Sequence, residues 1–288
     1  MFDSQPNSFG KQFKKIRKER GYSAENVADG ILSLSALYKF EENNMNLSFI
    51  KMIQLLQKIH IDLEDFVRMI DSNFNNQYQV FLNKINIFYS QNDFKGIENF
   101  FLSDLENYRT KRDNFDLVRA STAMALIKNL NHHYKINEPL VKDLTDFLFA
   151  IDEWNNFEIT IFGNCLTIIS SSVIYAIAEE LIARSKQPVS NPKNVEYLLL
   201  ALVNVIDIMI DRRDFVYAKK LIDNIETIRI PETSLLARFK LIFLKNILYL
   251  DSEEAKKVNG TLLTSLNYLG SRQLADAYQT YMYEFYHA

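Results

Sequence analysis

The strongest constraint on the fold is an apolar pattern of helical period that begins near residue 78. Apolar side chains recur there at spacings of three and four residues, at Tyr78, Phe81, Leu82, Ile85, Phe88 and Tyr89. Such spacing places them on one face of an α-helix. Glycine and proline, which interrupt helices, number only 7 and 5 among 288 residues. We therefore predict an all-α chain; turn-rich β folds are excluded, and glycine-dependent nucleotide-binding folds are disfavoured.

Polar breaks divide the chain beyond residue 76 into helices that pair at a regular interval. The first helix of each pair is predicted to begin near Asn76, Asn114, Asn155, Lys193, Thr233 and Ser271. The interval of about 38–41 residues is typical of helix-hairpin repeats. We predict five hairpins and a closing helix, stacked as a TPR-like right-handed superhelix with the first helices on its concave side.

The first 70 residues are predicted to form a separate bundle of five short helices. A third helix is expected from Ser33 to Glu42, after an N-cap serine. The fourth helix is expected to begin after Ser48 and to carry Phe49, Met52, Ile53 and Leu56 on one face. The predicted organisation is a domain at 1–70, a short linker at 71–75 and a repeat domain at 76–288.

A cluster of positive charge stands out near the amino terminus, although the formal net charge of the chain is −3. The segment 11–20 contains one acidic residue, Glu19, and six basic residues. The basic residues are Lys11, Lys14, Lys15, Arg17, Lys18 and Arg20. Such a cluster is suited to bind phosphates, and it is also typical of a solvated helix face. The helices predicted around this cluster are needed to choose between these two interpretations.

The segment from Lys11 to Phe66 resembles the phage-repressor-type helix-turn-helix domain. The resemblance rests on the stretches 16–23, 27–28 and 33–41. In that fold the third helix enters the major groove of DNA. The resemblance implies base-facing or flanking roles for Ser33, Leu34, Ser35, Tyr38 and Lys39, and phosphate contacts for Lys11, Lys14 and Lys15. It also implies a structural ion pair between Arg17 and Glu41.

Three positions depart from that domain type. Ala24 stands where a phosphate-contacting glutamine is common, and Asn43 stands where a glycine is expected. Glu42 adds negative charge close to the proposed DNA surface. We therefore expect modest, strongly salt-sensitive binding by one domain, which a dimer would strengthen.

The whole chain resembles the Rgg/MutR-type transcriptional regulators of low-GC Gram-positive bacteria. The order of the two domains and the segment from Trp154 to Asn164 carry this likeness. It implies a cytoplasmic homodimer that dimerises through the repeat domain and binds double-stranded promoter DNA. Many members of that family respond to a short imported peptide pheromone, as in quorum sensing, and the resemblance implies such a response here.

Side chains on the predicted first helices are candidates for holding such a peptide. An asparagine amide can donate and accept hydrogen bonds with an extended backbone, and an arginine suits a carboxylate. The candidates are Asn83, Arg119, Asn164, Asn204 and Arg238, with Tyr278, Tyr281 and Phe285 as an apolar wall on the last helix. Each of them is equally compatible with capping, solvation or ordinary core packing.

Enzymatic chemistry finds no support in the sequence. The histidines His60, His132, His133 and His287 form no zinc-binding pair, and no phosphate-binding loop or nucleophile elbow is present. We expect a non-enzymatic protein without metal or cofactor. The single cysteine, Cys165, excludes an intramolecular disulfide and is expected to be buried.

Neither an export signal nor an apolar stretch of membrane-spanning length is apparent, so a cytoplasmic location without a membrane partner is expected. Two functions then remain. The first is a peptide-controlled, DNA-binding transcriptional regulator. The alternative is a protein-interaction module whose degenerate helix-turn-helix no longer binds specific DNA.

Overall fold

The chain folds into α-helices that form two compact units. The structure, a computed structural model, describes residues 9–70, 76–185, 192–228 and 230–287. Those residues contain helices and turns but no β-strand, so the predicted all-α class is confirmed. The units are Met1–Val80, called the head, and Phe81–Ala288, called the repeat unit. The predicted linker at 71–75 lies outside the described residues.

Residues 9–70 of the head form five short helices, as expected. They are α1 (Phe9–Glu19), α2 (Ala24–Ala28), α3 (Leu34–Glu41), α4 (Phe49–Lys58) and α5 (Leu63–Ile70). The hydroxyls of Ser23, Ser33 and Ser48 accept hydrogen bonds from the backbone N–H groups three residues further on. These N-caps satisfy amides that have no partner within their helices, and so they fix where α2, α3 and α4 begin.

The core of the head is closed by an unusually near approach of α1 to α3. Phe13, Leu37, Leu55 and Phe66 are fully buried in this core. At Gly10 in α1, an added Cβ atom would lie only 1.8 Å from the carbonyl oxygen of Phe40 in α3. The two helices therefore pack at a distance that only glycine permits at this position.

Phe49 shares a face of α4 with Met52 and Leu56 but is not part of the core. Phe49 is 65% exposed, whereas Leu55 and Leu56 of the same helix are buried. Phe49 is the first residue of α4, and side chains on a helix lean towards its amino terminus. The ring of Phe49 therefore projects beyond the end of the helix, although its spacing matches that of Met52 and Leu56.

The rest of the described chain forms successive helix hairpins. The helices are α6 (Gln77–Ser90), α7 (Phe94–Lys111), α8 (Asn114–Leu130), α9 (Glu138–Phe149), α10 (Asn156–Cys165), α11 (Ser171–Ser185), α12 (Pro192–Asp211), α13 (Phe215–Ile225), α14 (Leu235–Tyr249), α15 (Ser252–Tyr268) and α16 (Arg272–His287). A 3₁₀ turn, Leu166–Ile168, follows α10. All six predicted starts of first helices fall within two residues of the observed ones. None of the described helices is long and apolar enough to cross a bilayer.

The first helices of the hairpins pack side by side as one layer, called the first-helix layer. Helix α10 contacts both α8 and α12, and α12 contacts α14. At one end of the layer, the Arg119 guanidinium of α8 lies 5.3 Å from the ring centroid of Phe81 in α6. At the other end, the rings of Phe239 in α14 and Tyr278 in α16 are 5.1 Å apart. The layer therefore continues from α6 to α16.

The single cysteine lies inside this packing. Cys165 ends α10 and is fully buried, as expected. Its Sγ atom is 3.7 Å from the hydroxyl of Thr122 in α8. Burial raises the pKa of the thiol to about 12, which keeps it protonated and unreactive at neutral pH.

Candidate functional site

The outward face of α3 presents only part of the predicted set of DNA-facing residues. Ser35, Tyr38 and Lys39 are exposed. Ser33 is also exposed, but its hydroxyl accepts a hydrogen bond from the N–H of Ala36 at 3.2 Å. Leu34 is half-buried against the core of the head. Three side chains of α3 are therefore exposed, with Tyr38 at 42%, and Leu34 offers only part of its surface.

The three candidate phosphate-binding lysines of α1 differ in their surroundings. The Nζ of Lys14 is 3.9 Å from Glu42 Oε1, and the Nζ of Lys15 is 3.9 Å from Glu19 Oε1. Lys11 is exposed and forms no ion pair within the described residues. Exposed pairs of this length contribute about 0–1 kcal/mol, so they offset the local charge without immobilising the side chains.

Arg17 and Glu41 form a buried, bidentate ion pair between α1 and α3. Arg17 Nε and Nη2 donate to the two Glu41 carboxylate oxygens at 2.6 and 2.9 Å, and Nη1 donates to the Tyr22 carbonyl at 2.7 Å. The hydrogen bond to Glu41 raises the pKa of Arg17. Charge-assisted bonds in this geometry are strong. The pair thus joins the end of α3 to α1 and to the residues before α2.

Two departures from the helix-turn-helix pattern have visible structural consequences. Ala24 is buried at the start of α2, so its side chain is not available to a phosphate. Asn43, directly after α3, has a left-handed backbone with φ of 62°. It thus takes the conformation that glycine would otherwise supply there. The turn between α2 and α3 contains Gly30, with φ of 74°.

The candidate peptide-binding amides lie on three different helices of the first-helix layer. Asn83 on α6 is exposed, and Asn164 on α10 is half-buried. The Oδ1 atom of Asn204 on α12 is 3.4 Å from Lys240 Nζ on α14. The helical positions are those predicted, and the amides remain partly accessible.

The two candidate arginines make contacts within the protein. Arg119 Nε donates to Asp104 Oδ2 at 3.1 Å, across α8 and α7. Burial raises the pKa of Asp104 to about 6, although Arg119 opposes this shift. Arg238 donates to the carbonyls of Pro231 and Ile230, which precede α14. Much of the hydrogen-bonding capacity of both guanidiniums is therefore used to hold the fold.

The candidate aromatic wall lies on α16. Tyr278 packs edge-on against Phe243 of α14, with ring centroids 4.8 Å apart. Phe285 contacts Phe215, at the start of α13. Burial raises the pKa of both Tyr278 and Tyr281. The three aromatic side chains of this wall are thus each partly buried and partly exposed.

Sequence reasoning missed a cavity of about 610 Å³ in the repeat unit. Its walls come from the carboxyl ends of α8, α12 and α16 and from the 3₁₀ turn, and they include Lys128, His132, Asp211, Arg213 and Glu284. Of the predicted residues, only Tyr281 and Phe285 line it. The available signal was charge at helical spacing, with Asp207 and Asp211 four residues apart on α12.

Solved structures with a similar fold include a pheromone receptor. The SHP pheromone receptor Rgg2 of Streptococcus dysgalactiae aligns over 96% of this chain and 99% of its own, with a TM-score of 0.78 and 21% identity. The PrgX/cCF10 complex aligns over 96% and 92%, with a TM-score of 0.75 and 16% identity. At these identities the likeness establishes the fold.

The family is established by a separate comparison. Residues 102–280 match the profile of the C-terminal domain of the HTH-type transcriptional regulator Rgg. This match spans more than half of the 288 residues. It covers α8 to α15 completely, which are the helices that build most of the first-helix layer and its partners. The chain therefore belongs to the Rgg family of helix-turn-helix transcriptional regulators.

Proposed function

We propose that the protein is a cytoplasmic homodimer that binds promoter DNA through the head and is controlled by a short peptide pheromone. The peptide binds on the first-helix layer, and the repeat domain also holds the two copies together. A peptide that binds one arrangement of the repeat domain more tightly shifts the arrangement of the two heads, because only differential affinity can move such an equilibrium. Two heads joined in a dimer contact two half-sites of DNA.

The observation that carries this proposal is the membership of the Rgg family, together with the exposed face of α3. Ser35, Tyr38 and Lys39 are accessible there, and the basic α1 supplies Lys11 for a phosphate. The buried Arg17–Glu41 pair holds α3 against α1. The pheromone receptors of similar fold support the peptide part of the proposal.

DNA recognition predicts different effects for Lys39→Ala and Lys11→Ala. Lys39→Ala should reduce the preference for the best site by about 1–3 kcal/mol, because it removes a contact to a base edge. Lys11→Ala should weaken all sequences alike and reduce the salt slope by about one, because it removes a phosphate contact. Lys11 is preferred to Lys14 for this test, since Lys14 is partly offset by Glu42.

The measurement is a salt-titrated binding assay with duplexes from beside the gene and with scrambled duplexes. Lys257→Ala, at an exposed lysine of α15, is the matched control and should leave both the preference for the best site and the salt slope unchanged. Equal effects of the two head variants would contradict the assignment of α3. Absence of binding at low salt would favour the protein-interaction module instead.

Peptide binding predicts that the amides of the first-helix layer contribute to affinity. The probe is a pool of fluorescein-labelled heptapeptides made from Leu, Ile, Val and Phe. We expect Asn164→Ala with Asn204→Ala to weaken anisotropy-detected binding by about tenfold, because each amide contributes roughly 0.5–1.5 kcal/mol. Asn267→Ala, at an exposed residue of α15, serves as the control. Unchanged affinity in the double variant would place the peptide elsewhere.

A further inference from the structure

The cavity bounded by α8, α12 and α16 is large enough for a small ligand or for one end of a peptide. Its volume of about 610 Å³ falls within the usual range for ligand-binding clefts. Ile208, Tyr281 and Phe285 supply apolar and aromatic surface to its walls. Charged side chains from all three helix ends supply the polar part, so the hydrogen bonds that they already make decide which ligand fits.

Two cations of the cavity are committed to backbone carbonyls. Lys128 Nζ donates to the carbonyls of His132 and Tyr134 at 2.6 and 3.1 Å. Arg212 donates to the carbonyls of Leu166, Thr167 and Ile169, and burial lowers its pKa. Both side chains therefore supply hydrogen-bond donors to backbone carbonyls of neighbouring segments. Little donor capacity remains for an anionic ligand.

Arg213 is the third cation, and aromatic contacts hold it. Its guanidinium lies 5.1 Å from the ring centroid of Phe285 and 5.9 Å from that of Phe215. Its backbone has a left-handed φ of 63°, two residues after the end of α12. The positive charge of Arg213 opposes the rise in the pKa of Asp211, but the two side chains form no ion pair among the described residues.

The acceptors of the cavity are, by contrast, uncommitted. Asp211 and Glu284 line it and take part in no ion pair among the residues that the structure describes. One turn earlier on α12, the Oδ1 atom of Asp207 is buried, as is the hydroxyl of Tyr281. These two groups interact with each other, and Asp207 is not among the residues that line the cavity. The carboxylates of Asp211 and Glu284, both exposed to solvent, therefore keep acceptor capacity for a ligand that brings donors.

Like charges are also held close together at this place. Burial raises the pKa of Asp211 to about 6, and the negative charges of Asp207 and Glu284 add to the shift, whereas Arg213 and His132 oppose it. Asp211 is nevertheless ionised at pH 7.5. A cation placed between these carboxylates would relieve their repulsion, and the rings of Tyr281 and Phe285 would favour it further.

We infer that this cavity binds an organic cation, namely a primary ammonium or guanidinium group carried on an apolar body. The inference rests on the proposed peptide-receptor function only for the source of the cation, which is then the amino terminus or a basic side chain of the peptide. The chemistry itself rests on the carboxylates of Asp211 and Glu284, which line the cavity and form no ion pair among the described residues.

Three probes of similar shape and different charge test the site directly. They are 2-phenylethylamine, 2-phenylethanol and phenylacetate, titrated into the full-length protein at pH 7.5 and followed by ligand-observed NMR. We expect the amine to bind about tenfold more tightly than the alcohol, and phenylacetate to bind most weakly. Equal affinities, or tightest binding of phenylacetate, would overturn the inference.

Isosteric variants assign the preference to the carboxylates. Asp211→Asn with Glu284→Gln should bring the affinity for the amine to within about twofold of that for the alcohol. Glu284→Gln alone, at an exposed residue, should lower the preference and preserves a test should the double variant unfold. Asp276→Asn, at an exposed acid of α16 outside the cavity, is the matched control. Retention of the full preference in the double variant would contradict the inference.

Heptapeptide pools then identify the source of the cation. A pool with a free amino terminus is compared with the acetylated pool and with an acetylated pool that contains one lysine. Loss of binding on acetylation indicates the amino terminus, and recovery with lysine indicates a side chain. If only 2-phenylethylamine binds, the cation site stands and the peptide-receptor function fails. If the pools bind regardless of charge and the amine does not bind, the function stands and the inference fails.

Discussion

Arg17→Met is expected to unfold much of the head while the repeat unit stays folded. The substitution leaves the Glu41 carboxylate, which is fully buried, without its bidentate partner. Removing one member of a buried pair typically costs about 3–5 kcal/mol. A unit of this size has a total stability on the order of 3–9 kcal/mol, so most of it would be lost. Hydrogen exchange detected by mass spectrometry would show this loss as fast exchange confined to residues 9–70.

Two further variants separate the buried charge from the loss of packing. Arg17→Met combined with Glu41→Leu should recover most of the protection, because an apolar pair often replaces a buried ion pair at little cost. Arg68→Met removes an exposed pair with Glu64 in the same unit and should cost no more than about 0.5 kcal/mol. Similar exchange in Arg17→Met and Arg68→Met would show that the buried pair does not stabilise the head.

Gly10→Ala is expected to destabilise the head by about 2 kcal/mol or more, despite the better helix propensity of alanine. The new methyl group would lie 1.8 Å from the oxygen and 2.7 Å from the carbon of the Phe40 carbonyl. Both are backbone atoms, so α1 and α3 must separate. Because α3 carries Ser35, Tyr38 and Lys39, the same shift should lower the affinity for DNA in the salt-titrated assay.

Gly163→Ala is expected to change the free energy of unfolding in the opposite direction. An added Cβ atom at Gly163 in α10 would meet no atom within 4 Å beyond its chain neighbours and the nearby backbone of its own helix. We expect it to stabilise the repeat unit by roughly 0.5–1 kcal/mol, because it improves the helix propensity without a clash. Thermal unfolding of both variants measures the contrast. A Gly10→Ala protein as stable as the parent would mean that α1 and α3 are not closely packed in solution.

The helices of this protein could be predicted because their signals are local. Polar breaks, cap serines and apolar spacing lie within a few residues of the boundaries that they set. The start of α8 at Asn114 and the caps at Ser23 and Ser33 follow directly from such signals. The regular interval between first helices then indicated the hairpins, since each hairpin repeats the same local pattern.

The features that could not be predicted depend on residues far apart in the sequence. Arg238 appeared suited to a peptide carboxylate, but the chain folds so that carbonyls before α14 take its donors. Gly10 gave no sign of its proximity to Phe40, thirty residues away. The cavity likewise assembles the ends of α8, α12 and α16, whose side chains are ordinary at their own positions.

The burial of Cys165 makes the reactivity of its thiol a measure of how often the surrounding helices separate. Because its thiol is protonated and inaccessible in the packed state, an alkylating reagent can reach it only when α10 separates from α8. The rate of alkylation thus measures how often the third hairpin, formed by α10 and α11, opens, and no engineered label is needed. A ligand that tightens the first-helix layer would slow this reaction even if it never approached the sulfur.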